Sequence, residues 1–549
     1  MEKISEKKLK EIIIQLAQNP GATELDFARA WRQAFAKIHS APLNKATLIS
    51  LYRQLVNQGK IKENQRFSRL LTKRAIRTLS GVSVITVLSK PFACPGKCVY
   101  CPTEPDMPKS YLSNEPAAAR AKMNLFDPLR QMTMRIKALE NNGHQVDKLE
   151  VLILGGTWSV YPGEYQNEFV RDLFYAANTF PAHSRSAFGG ADTIKRKPLS
   201  LEKEQKINED ARYKIIGLTL ETRPDFINEN EIKKMRRLGA TRVQIGVQHS
   251  DNKILDYIKR GHSIEQSIAA TKMLKDAGFK VDHHYMPDLP RSTPAKDLKM
   301  FKYVFSSPDL QPDQIKIYPC IVNPYAELYN LFKNGDYQPY SEKELLELLL
   351  EVKTLVPPYM RINRLIRDIP QESIVAGNRI TNLRQYLQKE LSKRGQKCQC
   401  LRCREVRNDN EEIEQAILVI RKYEASGGQE FFLSYENSDR SKVYAFLRLR
   451  INNNPAENIF PELKNASLVR ELHVYGRMIP TGGDEIRDEN EANGRSQHLG
   501  LGKKLMAEAE KITLGNNLHK IAVISGIGVR SYYRKLDYHL EGTYLTKKL

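Results

Sequence analysis

The chain has 549 residues, enough for two to four domains, and at 41% hydrophobic it can bury real cores. Its 86 Lys and Arg against 64 Asp and Glu leave a formal net charge of +22, which points to a polyanionic partner, nucleic acid first. Seven cysteines, six of them in two tight clusters, argue against a disulfide framework; a charged start and no apolar run of 18 residues argue against secretion and a membrane span, so a cytoplasmic location is expected.

Residues 1–76 read as a small helical region. Leu9, Ile12, Ile13 and Leu16 recur at helix spacing, as do Phe27, Ala30, Trp31 and Phe35, then Leu48, Leu51, Tyr52 and Leu55. The polar faces carry Arg29, Arg32, Lys37, Lys45 and Arg53, and Lys73, Arg74 and Arg77 follow. Such a bundle suits phosphate contacts, although each basic residue also fits a solvated helical face.

Residues 77–394 alternate strand and helix. Six strands are expected, at Val82–Leu88, Leu149–Leu154, Ile215–Leu220, Arg242–Val247, Lys280–Tyr285 and Gln314–Tyr318, with helices between them. That pattern predicts a parallel sheet curled into a partial barrel, with its chemistry at the C-terminal strand ends. The first strand leads into Cys94-Pro95-Gly96-Lys97-Cys98-Val99-Tyr100-Cys101, a C-x3-C-x2-C loop. Three thiolates leave one iron of a four-iron cube without a protein ligand, free to bind a small molecule. The spacing resembles that of radical S-adenosylmethionine (SAM) enzymes, in which a [4Fe-4S] cluster binds SAM at the open iron. Other readings are a zinc knuckle, which lacks a fourth ligand nearby, or three unrelated thiols. The second strand ends in Gly155-Gly156, where absent Cβ atoms let backbone approach a ligand; the position resembles the glycine turn that holds the amino group of SAM. Strand six carries Lys316 and Tyr318. Pro181–Arg196 reads as an exposed loop.

Residues 395–408 form a linker containing Cys398, Cys400 and Cys403, at C-x-C-x2-C spacing. Zinc is the expected ion, with a fourth ligand from elsewhere. Cys320, His283 and His284 are candidates, while Cys320 also fits a core thiol and the triad also fits three free thiols in a hinge.

Residues 409–549 change to antiparallel strands around 431–435, 445–450 and 471–475, then a polar loop, Thr481–Arg495. Gln497-His498-Leu499-Gly500-Leu501-Gly502 opens a helix, and a glycine turn there aims backbone N–H groups at an anion such as pyrophosphate. This Q-x-x-G-x-G resembles the acetyl-coenzyme A signature of the GNAT acetyltransferases. Strand 521–525 and the segment with Tyr532 and Tyr533 resemble the part of that fold beside the thioester, one tyrosine being expected in the core. The expected architecture is α/β: a radical SAM partial barrel joined to a mixed α+β acetyltransferase domain, behind the N-terminal helices.

From Arg77 onward the chain resembles one family, the catalytic subunit of Elongator and its single-chain archaeal and bacterial relatives. The matching stretches include Cys94–Pro102, Gly155–Trp158, Glu221–Asp225, Arg260-Gly261-His262, Met286–Pro290, Lys316–Pro319, Arg367–Pro370, Arg470–Gly476 and Gln497–Gly502. Asp288, Arg291 and the cysteine knuckle depart from the commoner pattern. The resemblance implies an enzyme that carboxymethylates C5 of the wobble uridine in the tRNA anticodon stem-loop, using acetyl-CoA, SAM and an electron donor whose identity stays open. It further implies Lys316 and Tyr318 in the SAM and substrate pocket and Tyr532 at the thioester, Gln497, Gly500, Gly502 and Tyr533 around CoA, and Lys73, Arg74 and Arg77 on tRNA. A homodimer or larger complex is compatible with it. Two other readings compete: a protein lysine acetyltransferase using Glu471 or His473 as base, and a non-catalytic tRNA-binding scaffold.

Overall fold

The computed structural model describes residues 6–21, 23–38, 45–72, 81–180, 196–406, 413–476 and 500–549. Four N-terminal helices come first: α1 (Glu6–Gln18), α2 (Glu24–Ala36), α3 (Lys45–Asn57) and α4 (Gln65–Leu71). Their apolar stripes close on one core of Ile13, Leu16, Phe27, Phe35, Leu48, Tyr52 and Phe67. Thr23 and Asp26 form a capping box that fixes the start of α2. Arg53 donates from α3 to Glu140 O at 2.8 Å, tying this bundle to the next unit.

Seven parallel strands then run in consecutive order: β1 (Val82–Leu88), β2 (Lys148–Leu154), β3 (Lys214–Thr222), β4 (Arg242–Gln248), β5 (Lys280–Tyr285), β6 (Gln314–Ile317) and β7 (Arg361–Arg364). Helices cover the outer face. Ile85, Val87, Val151 and Ile153 meet Met132, Ile136, Phe169 and Val170 there. The alternate residues of the same strands line the concave side. The sheet is a half-barrel of the expected type, with one strand more than the sequence suggested. The segment Arg361-Ile362-Asn363-Arg364 has no apolar alternation to announce it. It is recruited by pairing with β6, Gln314 opposite Arg361, and by Arg361 N–H donating to Asp313 O at 3.1 Å.

A second sheet of seven strands follows, comprising β8 (Ile417–Glu424), β9 (Gly428–Glu436), β10 (Val443–Asn452), β11 (Ser467–Val474), β12 (Lys520–Val523), β13 (His539–Glu541) and β14 (Tyr544–Lys548). Their spatial order is β8-β9-β10-β11-β12-β14-β13. All neighbours are antiparallel except β11 and β12. The helix Leu501–Gly515 packs on this sheet through Leu501, Leu505, Met506 and Ala509.

The second sheet covers the N-terminal end of the half-barrel. Asp313, just ahead of β6, receives Arg470 Nη1 at 2.8 Å and Nη2 at 2.5 Å from β11. Tyr359 stacks on Tyr423 of β8 with centroids 3.9 Å apart. A Cβ at Gly526 would overlap Ile216 O in β3, so the approach is set by backbone. Phe432, Phe446, Leu468 and Tyr544 share one core with the barrel strands. Thr481–Arg495, and Pro181–Arg196 apart from Arg196, lie outside the described residues.

Candidate functional site

The chemistry-bearing residues gather at the C-terminal strand ends of the half-barrel. The loop after β1 folds back on the barrel by two backbone bonds, Val99 N to Ile258 O at 3.1 Å and Leu328 N to Val99 O at 2.7 Å. That brings Cys94, Cys98 and Cys101 over the mouth, Cys98 buried and the others half-buried. Arg260 Nη1 donates to Cys98 Sγ at 3.5 Å, and Thr157 Oγ1 lies 3.6 Å from Cys94 Sγ. Burial, reinforced by the negative charge of Cys98, pushes the Cys101 thiol up to about 12. Three thiolates here therefore need a cationic partner. Arg223 stands beside them, anchored by Asp225, and its Nη1 has no hydrogen-bond partner among the described residues. A Cβ at Gly96 would overlap that nitrogen. An all-sulfur donor set, a guanidinium on one sulfur and a second beside the loop fit an anionic iron–sulfur cube.

Below the cysteines, Gly155 and Gly156 have φ of +131° and +98°. A Cβ at Gly155 would overlap Ser89 Oγ, and one at Gly156 would sit 3.3 Å from Lys109 O. Gly155 is buried, its carbonyl accepting from the Tyr161 hydroxyl at 3.3 Å, and Gly156 is partly exposed. Gln248 Oε1, at the end of β4, has no partner among the described residues. Lys316 donates to Gln244 Oε1 at 2.5 Å, and His284 Nε2 contacts the same oxygen at 3.2 Å. Burial lowers the Lys316 ammonium to about 8, with Asp282 and Glu221 opposing the shift. His284, buried beside Lys316, is held neutral. Tyr318 is half-buried, its ring edge-on to His284 at 5.6 Å. Tyr111 donates to Glu221 Oε2 at 2.8 Å, and Arg367 reaches Ser110 and Glu115 from beyond β7.

A second site lies in the C-terminal sheet. β11 and β12 pair in parallel over only three residues, Ser467–Val469 with Ile521–Val523. A register shift between Arg448 and Leu449 bulges the partner strand at Arg470. Beyond it β11 continues to Val474 without β12, opening a splay. At that splay Gly500, in the left-handed region at φ +65°, starts the helix Leu501–Gly515. A Cβ at Gly502 would lie 2.8 Å from the Tyr532 hydroxyl and 3.6 Å from Val474. The helix N-terminus, the splay and Tyr532 thus lie together. Tyr533 is the core tyrosine of the pair, buried among the sheet residues.

Glu471 and His473, the nominated bases for lysine acetylation, are not poised for it. Burial alone would raise Glu471, but Lys280 and Arg448, the latter donating at 2.9 Å, hold it down at about 2. Burial lowers His473 to about 4. Neither titrates near neutrality, as a general base should.

Cys398, Cys400 and Cys403 form the one group of potential ligands among the described residues whose atoms all lie within 4.8 Å of one another. Sulfurs on a tetrahedral zinc stand ~3.8 Å apart, so this span suits a single ion. The sulfurs of the first triad do not meet that span, which suits ligands around a cube. The segment is no loose hinge: Cys400 is fully buried and Leu401 N donates to Met360 O at 3.0 Å. The suggested fourth ligands do not join it. His283 is held by Thr271 and Tyr285, His284 by Gln244, and Cys320 lies in another core with Val99 and Leu289. Gln388 and Lys353 donate to Cys403 Sγ at 3.6 and 3.8 Å.

Lys73, Arg74, Arg77 and Gln497 lie outside the described residues. Sequence reasoning did not single out Ser89, Gln244 or Asp282. For Gln244 and Asp282 the signal was a polar residue at an inward strand position, visible once the inward face is known, while Ser89 follows the end of β1.

Known proteins agree with this geometry. A model of the radical SAM superfamily matches residues 89–301, and one of the Radical_SAM C-terminal domain matches residues 312–393. The chain is 43% identical over 493 residues to the tRNA uridine(34) acetyltransferase of Methanocaldococcus jannaschii, covering 87% of each chain. It is 38% identical to human Elongator complex protein 3, covering 87% of this chain and 86% of that one. Among solved structures it is similar to the archaeal Elp3 of Methanocaldococcus infernus lacking its N-terminus, with a TM-score of 0.72 at 40% identity, over 86% of this chain and all of the other. No helix among the described residues is long and apolar enough to cross a membrane.

Proposed function

We infer the function from one premise: the chain belongs to the family of tRNA uridine(34) acetyltransferases and Elongator complex protein 3. It is a radical SAM protein, with a [4Fe-4S] cluster and SAM as its cofactors. Its proposed reaction is carboxymethylation of C5 of the wobble uridine of tRNA, with acetyl-CoA as carbon donor. When bound, the cluster and SAM supply one-electron chemistry able to break an unactivated C–H bond. Everything else falls to the chain's own side chains and backbone.

Cys94, Cys98 and Cys101 hold the cluster, with Arg260 and Arg223 countering its charge. Gly155 and Gly156 offer backbone groups to the amino end of SAM. Lys316 and Tyr318 position substrate in the mouth, where burial excludes water. Gly500 and Gly502, with Gln497, hold the pyrophosphate of CoA at a helix N-terminus. Tyr532 orients the thioester or a hydrolytic water. Cys398, Cys400 and Cys403 hold a structural zinc. Lys73, Arg74, Arg77 and the basic N-terminal faces bind the anticodon stem-loop through its phosphates. A cytoplasmic setting suits a tRNA substrate and reduced thiols.

The observation that carries this reading is the union, in one chain, of a cysteine-capped half-barrel with a splayed sheet whose glycine turn abuts Tyr532. The test is anaerobic turnover with reductant, SAM, acetyl-CoA and unmodified tRNA, read by nucleoside mass spectrometry. Carboxymethyluridine should form, and should vanish in Cys98→Ala and in a Gly500→Val, Gly502→Val double variant. Deoxyadenosine without modified uridine would mean a different substrate. No SAM cleavage by iron-loaded protein would remove the radical reading.

A further inference from the structure

A strained apolar turn stands on the rim of the half-barrel. Helix α5 (Pro116–Met123) follows Glu115, which holds Arg367 at 3.0 Å in the mouth, and helix α6 (Pro128–Asn141) comes next. The eight residues of α5 advance ~12 Å. The turn between the helices, residues 124–127, therefore lies one short helix from the mouth. In it Leu125 and Phe126 both take left-handed backbone, at φ +56° and +54°, a region costly for bulky side chains. Phe126 N donates to Ala121 O at 2.8 Å and Asp127 N to Asn124 O at 3.0 Å. The Phe126 ring packs against a core of Leu88, Tyr111 and Ala121, and Gln131 exchanges two hydrogen bonds of 2.9 Å with the Leu88 backbone. The turn is thus rigid, yet Leu125 is 71% exposed, with Met123 at 82% and Leu129 at 37%. Glycine would adopt the same backbone without strain. Folding alone does not call for leucine at position 125.

The surroundings of this tip are cationic. Residues 116–139 carry Arg120, Lys122, Arg130, Arg135 and Lys137 against a single acid, Asp127. Asp127 is occupied in capping α6, accepting from Arg130 N at 2.8 Å. Lys122 and Arg130 are exposed on either side of the tip. A second copy of the chain docked here about a two-fold axis would meet the same cations and be repelled. A single nucleic-acid strand is complementary, since its bases have apolar faces and its backbone is anionic. The tip is also continuous with the mouth, because the core that seats Phe126 includes Tyr111, whose hydroxyl donates to Glu221 at 2.8 Å. A uridine that enters the mouth must leave its stack, and an apolar side chain inserted in its place offsets that loss.

We propose that the turn carrying Leu125 is a wedge for the anticodon loop of tRNA: Leu125 enters the base stack where the wobble uridine leaves it, and Lys122 and Arg130 take the flanking phosphates. The proposal rests on the wobble-uridine reading above, and the test separates the two. Full-length, iron-loaded protein is mixed anaerobically with tRNA carrying 2-aminopurine at the nucleotide 3′ of the wobble uridine. Loss of stacking brightens that base, so the unmodified protein should raise its fluorescence severalfold. Leu125→Gly should remove most of the rise and lower kcat/KM for tRNA about tenfold. Its Tm should not fall, because glycine relieves the left-handed strain, whereas loss of a merely structural leucine would lower it. Leu125→Met should keep both the rise and the turnover. Lys122→Gln should reduce the salt slope of tRNA binding by about one. Fluorescence and turnover in Leu125→Gly equal to those of the unmodified protein would overturn the wedge and leave the wobble-uridine reading standing. Altered sedimentation of tRNA-free Leu125→Gly, with the fluorescence response intact, would assign the tip to a protein contact and overturn the wedge as well. Failure of the unmodified protein to modify the wobble uridine of ordinary tRNA would overturn that reading and the proposal with it.

Discussion

Arg260 and Cys98 are joined across the mouth of the barrel: Nη1 donates to the sulfur at 3.5 Å, while Nε and Nη2 are fixed on Gly246 O at 3.2 and 2.6 Å. The guanidinium cannot swing away without losing that carbonyl, and it is buried, so its charge acts with little screening. A fixed cation beside a cluster thiolate favours the reduced, more negative form. Arg260→Met should therefore lower the midpoint potential of the cluster, on the order of 50 mV, about one decade for a one-electron couple. Redox titration followed by electron paramagnetic resonance checks it. An unchanged potential at full iron loading would show that the arginine serves packing alone.

Gly155 should tolerate no side chain. Its φ of +131° is strained for any L-residue, and a Cβ would overlap Ser89 Oγ. Gly156, at φ +98°, is also strained for a side chain, but its Cβ would meet no overlap, the near neighbour being Lys109 O at 3.3 Å. Gly155→Ala should lose roughly 1–3 kcal/mol of stability together with SAM binding, and removing the clash with Ser89→Ala should not restore either. Gly156→Ala should weaken SAM binding with a smaller effect on stability. Equilibrium dialysis and thermal unfolding distinguish the two, and equal behaviour would contradict the geometry.

The half-barrel was legible because strands such as Val82–Leu88 and Ile215–Leu220 read as short β-branched and apolar runs with helical stretches between them. The cysteine loop, the glycine pair and the glycine turn at Gly500 were legible because their chemistry depends on local spacing. β7 was not, because Arg361-Ile362-Asn363-Arg364 is a strand only by virtue of its neighbour. Gln244 and Asp282 were missed for a related reason. Which side of a strand faces the concavity is set by helices packed elsewhere in the chain. The fourth ligand of the second cysteine triad was unreadable because such ligands are assembled by tertiary structure, and His283, His284 and Cys320 turn out to be engaged elsewhere.

Lys316 should leave a pH signature. Its ammonium is lowered by burial to about 8 from an ordinary 10.5. Between those values the unfolded chain binds the extra proton, so the contribution of Lys316 to stability rises with pH there and is least favourable below 8. Lys316→Met should remove that slope. From pH 7 to pH 10 the unmodified protein should gain roughly 2–3 kcal/mol relative to the variant. Urea unfolding at several pH values reads it, and parallel curves would mean that the ammonium is better solvated than its surroundings suggest.

The second cysteine triad should hold one metal ion for stability. Cys400 is fully buried and accepts from Cys398 and Cys403, which pulls its thiol well below the ordinary range and readies it as a thiolate. Cys400→Ser should lose the ion, seen as about one zinc equivalent missing by mass spectrometry, and several kcal/mol of local stability. The [4Fe-4S] absorbance should be unaffected. Loss of iron absorbance along with zinc would show that the two triads are coupled.

Asp313 and Arg470 join the half-barrel to the C-terminal sheet. Burial alone would raise the Asp313 carboxyl, but Arg470, Lys275 and Arg448 around it hold it far below the usual range. A depressed carboxyl contributes stability above its unfolded pKa of about 4, and that contribution fades as pH falls below it. Asp313→Asn keeps the shape and removes the charge, while Arg470 keeps Glu430 at 2.9 Å and Arg448 keeps Glu471 at 2.9 Å, so the loss should be that of charge-assisted hydrogen bonds, about 1.5–3 kcal/mol. Arg470→Met alone leaves the buried Asp313 carboxylate with Arg448 at 3.7 Å and the charge of Lys275 still lowering it. The double variant should be more stable than the sum of the two single losses predicts, because both single variants lose the same ion pair. Hydrogen exchange locates the damage: amides of β11 and of Val281, which donates to Asp313 Oδ2 at 2.9 Å, should lose protection together in Asp313→Asn. Loss confined to β5 would mean that the ion pair only braces the barrel. Joint loss in β5 and β11 would identify Asp313 as the joint through which the two candidate sites keep their spacing.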